Sequence, residues 1–427
     1  MLQSIYNHFL KSTGISTDTR KTSAGNLFFA LKGPSFNGNK YASVAIANGA
    51  SYAVVDEPEF VLSPQYLLVE DVLTCLQDLA HHHRQQLQIP IIAVTGSNGK
   101  TTTKELLHGV LSTHYKTFST QGNLNNHIGV PLTLLSIDSS IEMAVIELGA
   151  NHIGEIELLC KIAAPSHGFI TNIGLDHLEG YGSIEGVAQG SSELFYYLLH
   201  HQGIAFVNSK DALLMRMASR LPHVITYPAK GDYYHCYLSK NDFYLEITTE
   251  KMEVIKTHLT GAYNLDNIAT ALCIGKYFDV PSSKANEAIA AYIPQNMRSQ
   301  VIIKDSNKII LDAYNANPSS MEVAIENLSA IKASNKVVVL GDMFEMGNQS
   351  AFEHARIANL AMSKGFQHIL LLGKAFCGIE LQGVGVTQLE TKVQAIEWLQ
   401  QHSFKDTVFL LKGSRGMALE QLVEYIA

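Results

Sequence analysis

Cysteine is scarce and scattered in this 427-residue chain: Cys75, Cys160, Cys236, Cys273 and Cys377 lie far apart and form no CxxC pair. That spacing argues against a disulfide framework or a cysteine zinc site and fits thiols kept reduced in a cytosol. Positive charge is not in excess either, since 31 Lys and Arg stand against 39 Asp and Glu, a net charge of −8. Such a balance gives no broad basic footprint for nucleic acid and no polybasic patch for a membrane surface. No apolar run approaches the roughly 18 residues of a membrane span, and the opening stretch MLQSIYNHFLKSTG lacks the long apolar core of a leader. A cytoplasmic protein with no nucleic-acid partner and no membrane span is therefore expected. The three consecutive histidines His81, His82 and His83 are expected at a solvated helix end rather than around a metal. Internal repeats and low-complexity tracts are missing as well. What is present is globular composition, 46% hydrophobic and 16% charged. At roughly 150 residues per domain, the length predicts two or three domains.

Residues 1–88 alternate short strand-like and helical runs: a strand over 26–31 ending at the turn Gly33-Pro34, a helix over 41–49, then a strand over 53–55. From Ile91 the apolar strand IIAVTG runs directly into a helix beginning near Lys100, followed by a strand over 143–148, a helix over 154–163 and a strand over 168–173. Strands alternating with helices of this length predict a mostly parallel sheet covered on both faces. A polar, strand-rich patch over 223–260 precedes a helix starting near Asn264, and residues 292–298 read as a linker. Beyond it, buried strands over 309–312, 337–340, 369–372 and 408–411, separated by helical stretches, predict a compact doubly wound domain. The expected architecture is α/β, in three domains spanning 1–88, 89–298 and 299–427.

The sharpest local signal is Thr95-Gly96-Ser97-Asn98-Gly99-Lys100-Thr101-Thr102, which leaves a strand and enters a helix. Glycines allow the backbone to approach a ligand closely. The loop amides and helix N-terminus favour phosphate oxygens, and Lys100 adds charge near the terminal phosphates. Thr101 stands where a hydroxyl would ligate magnesium. A strict GxxxxGK[ST] pattern fails, because Val94 occupies its first glycine position. Glu147 ends the strand Ala144-Val145-Ile146-Glu147, where a magnesium ligand or water-orienting carboxylate would stand. His177, beside Asp176 just past a third strand, is a further metal candidate, with a surface loop histidine as the competing reading.

The phrases TGSNGKTT, IELGANHIGEI, TNIGLDHLEGYGSIEGVA, GAYNLDN, LDAYNANPSSM, LGDMFEMG and LLKGSRGMALE follow one another in this order. Together with STDTR and LFFALKG near the start, they closely resemble the Mur ligases of peptidoglycan synthesis over nearly the whole chain. GNLNNHIGVP and DAYNANP look specific to the branch that joins D-alanyl-D-alanine to UDP-N-acetylmuramoyl-tripeptide. The resemblance implies an N-terminal domain that holds UDP, a central P-loop ATPase domain and a C-terminal Rossmann-like acceptor domain. It also implies an ATP-dependent, ADP-forming amide ligation through an acyl phosphate, by a monomer. By motif position, Thr101, Glu147 and His177 would hold magnesium. Gly96, Ser97, Asn98, Gly99, Lys100, Thr101 and Thr102 would cradle the phosphates of ATP. Asn264 and Asn267 would meet adenine, with N-capping a concurrent role for Asn264. Arg298 would reach the γ-phosphate and Asp312 the ribose. For the donor, Thr17, Asp18, Thr19, Arg20, Lys32 and Gly33 would lie near UDP, and Asn123, Asn125, Asn126 and His127 near the muramoyl-peptide, although an asparagine-rich loop can equally bond its own backbone. Asn315, Ser414 and Arg415 would contact the acceptor.

One departure stands out. Members of the family usually carry a lysine in the pattern GVA-x-x-K-x-E, and its carbamate supports a second magnesium. Here the stretch reads Gly186-Val187-Ala188-Gln189-Gly190-Ser191-Ser192-Glu193, so Ser191 stands in the lysine's place. A serine cannot supply that anionic arm, which predicts turnover insensitive to bicarbonate and a higher magnesium requirement. The departure also leaves room for a nucleotide-binding homologue without catalysis, and the shared architecture leaves room for another Mur-type or a folylpolyglutamate-type ligase.

Overall fold

The computed structural model describes residues 1–381 and 385–426. Its centre is a six-stranded, wholly parallel sheet in the order Val224–Tyr227, Ile204–Asn208, His167–Ile170, Ile91–Thr95, Met143–Glu147, Thr117–Ser119. The strand Ile91–Thr95 is buried along its whole length, as an apolar run covered on both faces must be. It lies between the strands ending at Ile170 and Glu147. Three strand ends therefore open side by side on one edge of the sheet, where ligands of such folds bind. The helix Lys100–Ser112 packs one apolar face, Leu106, Leu107, Val110 and Leu111, against the helix Asn264–Tyr277. The helices come so close that a β-carbon at Gly275 would lie 2.6 Å from a Val110 methyl. Removing a large side chain such as Leu107 from this contact would cost about 2–5 kcal/mol.

A smaller parallel sheet, Ile15–Ser16, Leu27–Phe29, Tyr52–Val55 and Tyr66–Leu68, forms the N-terminal layer and shares a continuous core with the central sheet. The expected strand over 26–31 is shorter than its apolar run. Beyond Phe29 the chain turns back on itself in a hairpin of Lys32–Gly33 with Phe36–Asn37 around Pro34, which has no N–H to extend a ladder. The helix Val72–Gln86 joins the two layers, and His83 on it is buried, unlike the solvated residue expected. Its ring meets the Tyr6 hydroxyl at 3.2 Å and the Ile137 carbonyl at 2.8 Å, and burial holds its pKa below the usual histidine range.

A three-stranded antiparallel sheet, Cys236–Asn241, Leu245–Thr249 and Val254–Lys256, fills the strand-rich patch. After residues 292–299, which carry neither helix nor strand, comes a second six-stranded sheet. Its order is Gln300–Lys304, Asn307–Asp312, Thr407–Lys412, Asn335–Gly341, His368–Leu372, Val386–Leu389. Only the first pair is antiparallel. Helices cover both faces, as two separate clusters of buried side chains on this sheet require. The fold is thus the expected α/β assembly of three bodies with mostly parallel sheets.

Candidate functional site

The phosphate loop takes its shape from two glycines. Gly96 has φ 123°, and a β-carbon there would lie 2.4 Å from the Thr171 hydroxyl. Gly99, at φ 81°, precedes the helix and would bring a β-carbon within 2.7 Å of Asn267 Oδ1. The neighbouring strand end fastens the loop: Ser97 N–H donates to the Asn172 carbonyl (3.0 Å) and Asn98 N–H to Asn172 Oδ1 (3.1 Å). Gly174 N–H donates to the Ser97 hydroxyl at 2.9 Å. The strand expected over 168–173 stops at Ile170: Thr171 N–H still donates to the Thr95 carbonyl at 2.9 Å, and Asn172 then turns its carbonyl and side chain to hold the loop. Lys100 Nζ folds over the loop and donates to the Gly96 and Ser97 carbonyls.

Across from the loop, Glu147 is 2% exposed. Its carboxylate accepts from the Thr101 hydroxyl at 2.9 and 3.1 Å and from Asn125 Nδ2 at 2.9 Å. The Lys104 ammonium lies 3.7 Å away and donates to the Thr120 carbonyl at 2.7 Å. Lys104 was not singled out in the sequence, yet it follows Lys100 by one helical turn and so shares its face. Asn264 does not cap its helix: Tyr263 precedes the first turn, while Asn264 Nδ2 donates to the Thr260 carbonyl and its Oδ1 accepts from Asn267 Nδ2, both at 2.8 Å. Thr103 donates to Asn267 Oδ1 at 3.0 Å, tying this helix start to the phosphate loop.

The C-terminal sheet forms the facing wall. Asp312 ends its strand in register with Lys412, and the two make an ion pair at 2.8 Å. The other Asp312 oxygen accepts from Ser299 N–H at 3.2 Å. Arg298 lies 3.9 Å over the Tyr314 ring, and its Nε has no hydrogen-bond partner among the described residues. Asn317 caps the helix Pro318–Ala330 while its Nδ2 reaches both Asn98 Oδ1 and Asp176 Oδ1 at 3.0 Å. Together these walls enclose a cavity of about 750 Å³, within the range of small-molecule sites.

Of the residues expected from sequence, Ser97, Asn98, Gly99, Lys100, Thr101, Thr102, Asn123, Asn125, Asn126, His127, Glu147, His177, Asn264, Asn267, Arg298, Asp312, Asn315 and Arg415 line this one cavity. Gly96 sits beneath it as a backbone turn. Asn126 spends its carboxamide oxygen on the N–H groups of Ile128 and Gly129, the self-bonding alternative for such a loop. Ser414 is turned away, its buried hydroxyl accepting from Phe344 N–H at 2.9 Å, so it supports a loop rather than the cavity. Arg415 lines the rim while pairing with Glu420 at 2.7 Å. Thr17, Asp18, Thr19, Arg20, Lys32 and Gly33 lie outside the cavity, on the N-terminal layer. There Arg20 donates to Asp18, which holds that carboxyl at about 2, and Lys32 bridges Asp56 and Glu57 at 3.0 and 3.2 Å.

Among the described residues no group of three His, Cys, Asp or Glu could cage a metal by itself. A hydroxyl and one carboxylate at Thr101 and Glu147 do suit magnesium held jointly with nucleotide phosphates and water, because that ion prefers hard oxygens and few protein ligands. Ser191 is buried in the helix Ile184–His200 and does not line the cavity. Beside it, a β-carbon on Gly190 would lie 2.6 Å from Tyr181 Cε1, so the Tyr181 ring covers this part of the helix. Burial, and then the carboxylates of Glu155, Glu193 and Asp176, push the Tyr181 phenol pKa up and keep it a neutral donor.

Comparison with known proteins places these features in context. Residues 94–275 match the family model of the Mur ligase middle domain, residues 297–415 that of the Mur ligase glutamate ligase domain, and residues 11–86 that of the Mur ligase family catalytic domain. The chain is 33% identical over 422 residues to the UDP-N-acetylmuramoyl-tripeptide–D-alanyl-D-alanine ligase of Bacillus subtilis, covering 96% of this chain and 92% of that protein. Among solved structures it is similar to MurF from Acinetobacter baumannii (TM-score 0.88, 29% identity, covering 100% of this chain and 98% of the other). It also resembles MurF ligase from Thermotoga maritima in complex with ADP (TM-score 0.86, 25% identity, covering 98% and 97%).

Proposed function

The chain belongs to the Mur ligase family, and from that premise we propose that it joins D-alanyl-D-alanine to UDP-N-acetylmuramoyl-tripeptide at the expense of ATP. The observation that carries this reading is the convergence of the phosphate loop, Glu147 and His177 with Arg298 of the linker and Asp312 of the facing sheet on one cavity. Its named relatives support it further, as does the ADP bound to the Thermotoga maritima homologue. On this reading the domains divide at residues 88 and 298, and the enzyme is a cytoplasmic monomer. No described helix is long and apolar enough to cross a membrane.

The chemistry joins two anions, so charge must be neutralised first. A carboxylate oxygen of the tripeptide attacks the γ-phosphorus of ATP, and ADP leaves. The amine of the dipeptide then attacks the acyl carbon, loses its proton, and phosphate departs. The loop amides of Ser97 to Thr102, the helix start and Lys100 hold the triphosphate. Arg298, fixed over Tyr314, brings a second cation to the terminal phosphate, where charge spreads in the transition state. Asp312, paired with Lys412, meets the ribose; Asn264 and Asn267 meet adenine. Asn123, Asn125 and His127 face the donor, while Asn315 and Arg415 face the acceptor. Thr101 and Glu147 would hold one magnesium ion and His177 a second, and the metal would supply neutralisation of phosphate charge there. The UDP moiety lies at Thr17 to Arg20 and Lys32, on the N-terminal layer.

Phosphate release with purified protein tests the proposal. Release is expected only when ATP, the UDP-tripeptide and the dipeptide are all present, and Lys100→Met should lower it by about 100-fold or more. Release without the dipeptide or the tripeptide, or none with all three, would overturn it. Ser191 favours one competing reading, a homologue that binds nucleotide without catalysis, and the same assay decides between them. Transfer to glutamyl or other acceptors in place of the dipeptide would point to a different ligase of the same architecture.

A further inference from the structure

Two non-glycine residues with positive φ face each other across the cleft: His177, at φ 46°, on the central body, and Glu345, at φ 61°, on the C-terminal body. Such backbone is unfavourable for residues with a β-carbon and persists only where the surroundings enforce it. Their side chains meet, His177 Nδ1 against Glu345 Oε2 at 2.5 Å. The backbones meet as well, since Glu179 N–H donates to the Glu345 carbonyl at 3.2 Å. Next to this contact a β-carbon on Gly347 would stand 3.4 Å from the Glu179 Cα, so the two segments fit closely. Behind Glu345 its loop is held from two sides: Met343 N–H donates to His354 Nε2 at 2.9 Å, and Phe344 N–H to the Ser414 hydroxyl at 2.9 Å. His177 and Glu345 both line the cavity.

We infer that Glu345 is a positioning residue that couples docking of the C-terminal body to the orientation of the His177 imidazole. This rests on the reading that His177 holds a divalent cation. A carboxylate can only accept, so a neutral His177 ring paired with Glu345 would carry its proton on Nδ1 and present its Nε2 lone pair, on the side where Asp176 Oδ2 stands 3.7 Å away. A carboxylate on the far nitrogen also makes the imidazole a better donor and fixes its plane. Because Glu345 belongs to the C-terminal body and His177 to the central one, the pairing requires the two bodies to meet as they do here. The cation position at His177 is therefore completed by docking.

The test compares Glu345→Ala, Glu345→Gln and His177→Ala, singly and with Glu345→Ala combined with His177→Ala. Two readouts are used: Mn²⁺ binding by electron paramagnetic resonance with a non-hydrolysable ATP analogue and the UDP-tripeptide, and the Mg²⁺ concentration for half-maximal turnover. Glu345 is a half-exposed loop residue, and circular dichroism checks that each variant folds. Glu345→Ala is expected to weaken Mn²⁺ binding and raise the Mg²⁺ requirement by about 10- to 100-fold, with the KM for ATP little changed. Glu345→Gln should fall between it and the parent, and the double variant should be no worse than His177→Ala. Unchanged Mn²⁺ affinity in both Glu345 variants, with affinity lost in His177→Ala, would overturn the coupling alone. Unchanged affinity in His177→Ala would overturn the underlying reading of His177.

Discussion

At the scale of single residues, the Lys104 ammonium and the Glu147 carboxylate, on side chains that are both buried, are tolerable only together. Removing one partner of a buried ion pair leaves the other uncompensated, at a cost of about 3–5 kcal/mol. Lys104→Met is accordingly expected to lower the urea midpoint strongly, and adding Glu147→Gln to it should recover much of the loss, although neither variant would be active. Ser191 leads to a second expectation. With no lysine to carbamylate and the Tyr181 ring lying over Gly190 beside it, turnover should be the same in bicarbonate-depleted and bicarbonate-supplemented buffer. A steady-state assay under each condition checks this, and activity abolished by depletion would contradict it.

At the scale of elements, the linker is less free than its sequence suggests. Tyr292 donates to Glu105 Oε2 at 2.6 Å and Asn296 Nδ2 to Glu105 Oε1 at 2.7 Å, so the segment is tied to the same helix that carries Lys100 and Thr101. Burial and the neighbouring Glu105 carboxylate push the Tyr292 pKa up, keeping it a donor. Glu105→Ala is expected to speed amide exchange across residues 292–299, read by hydrogen–deuterium exchange, while leaving the sheet interiors protected. Long elements with strong periodicity were legible in the sequence: the phosphate-loop helix, the strand before it and the helix from Asn264 stand where their patterns put them. The short edge strands Thr117–Ser119 and Val386–Leu389 lack the long apolar run that marks a buried strand. Site residues whose chemistry is local, such as Lys100 and Glu147, were legible as well. Glu345, Asn317 and Lys412 were visible only as parts of phrases, because their roles come from partners on distant segments, which no local spacing encodes.

At the scale of the whole molecule, several histidines are wholly or partly buried, which favours the neutral ring. His83, His108, His167 and His354 all have pKa values depressed chiefly by burial, and His167, packed among Phe206, Tyr277 and Phe278, is held at about 4. A depressed histidine pKa means the unfolded chain binds more protons. Its stabilisation is complete above the unfolded value of 6.5 and is lost as pH falls toward the folded one. For His167, 6.5 to about 4 at roughly 1.4 kcal/mol per pH unit amounts to about 3 kcal/mol by pH 4. Thermal melts should therefore show Tm falling between pH 6.5 and 5, with a shallower fall in His167→Phe.

The cavity has one further consequence, because its floor belongs to one sheet and its roof to another. An inhibitor touching only the floor can leave without parting the two sheets. A compound grafted across both, gripping Lys100 below and Asp312 above, would clamp the jaws and leave only as fast as they unclasp, so its residence time would report the rate of that opening.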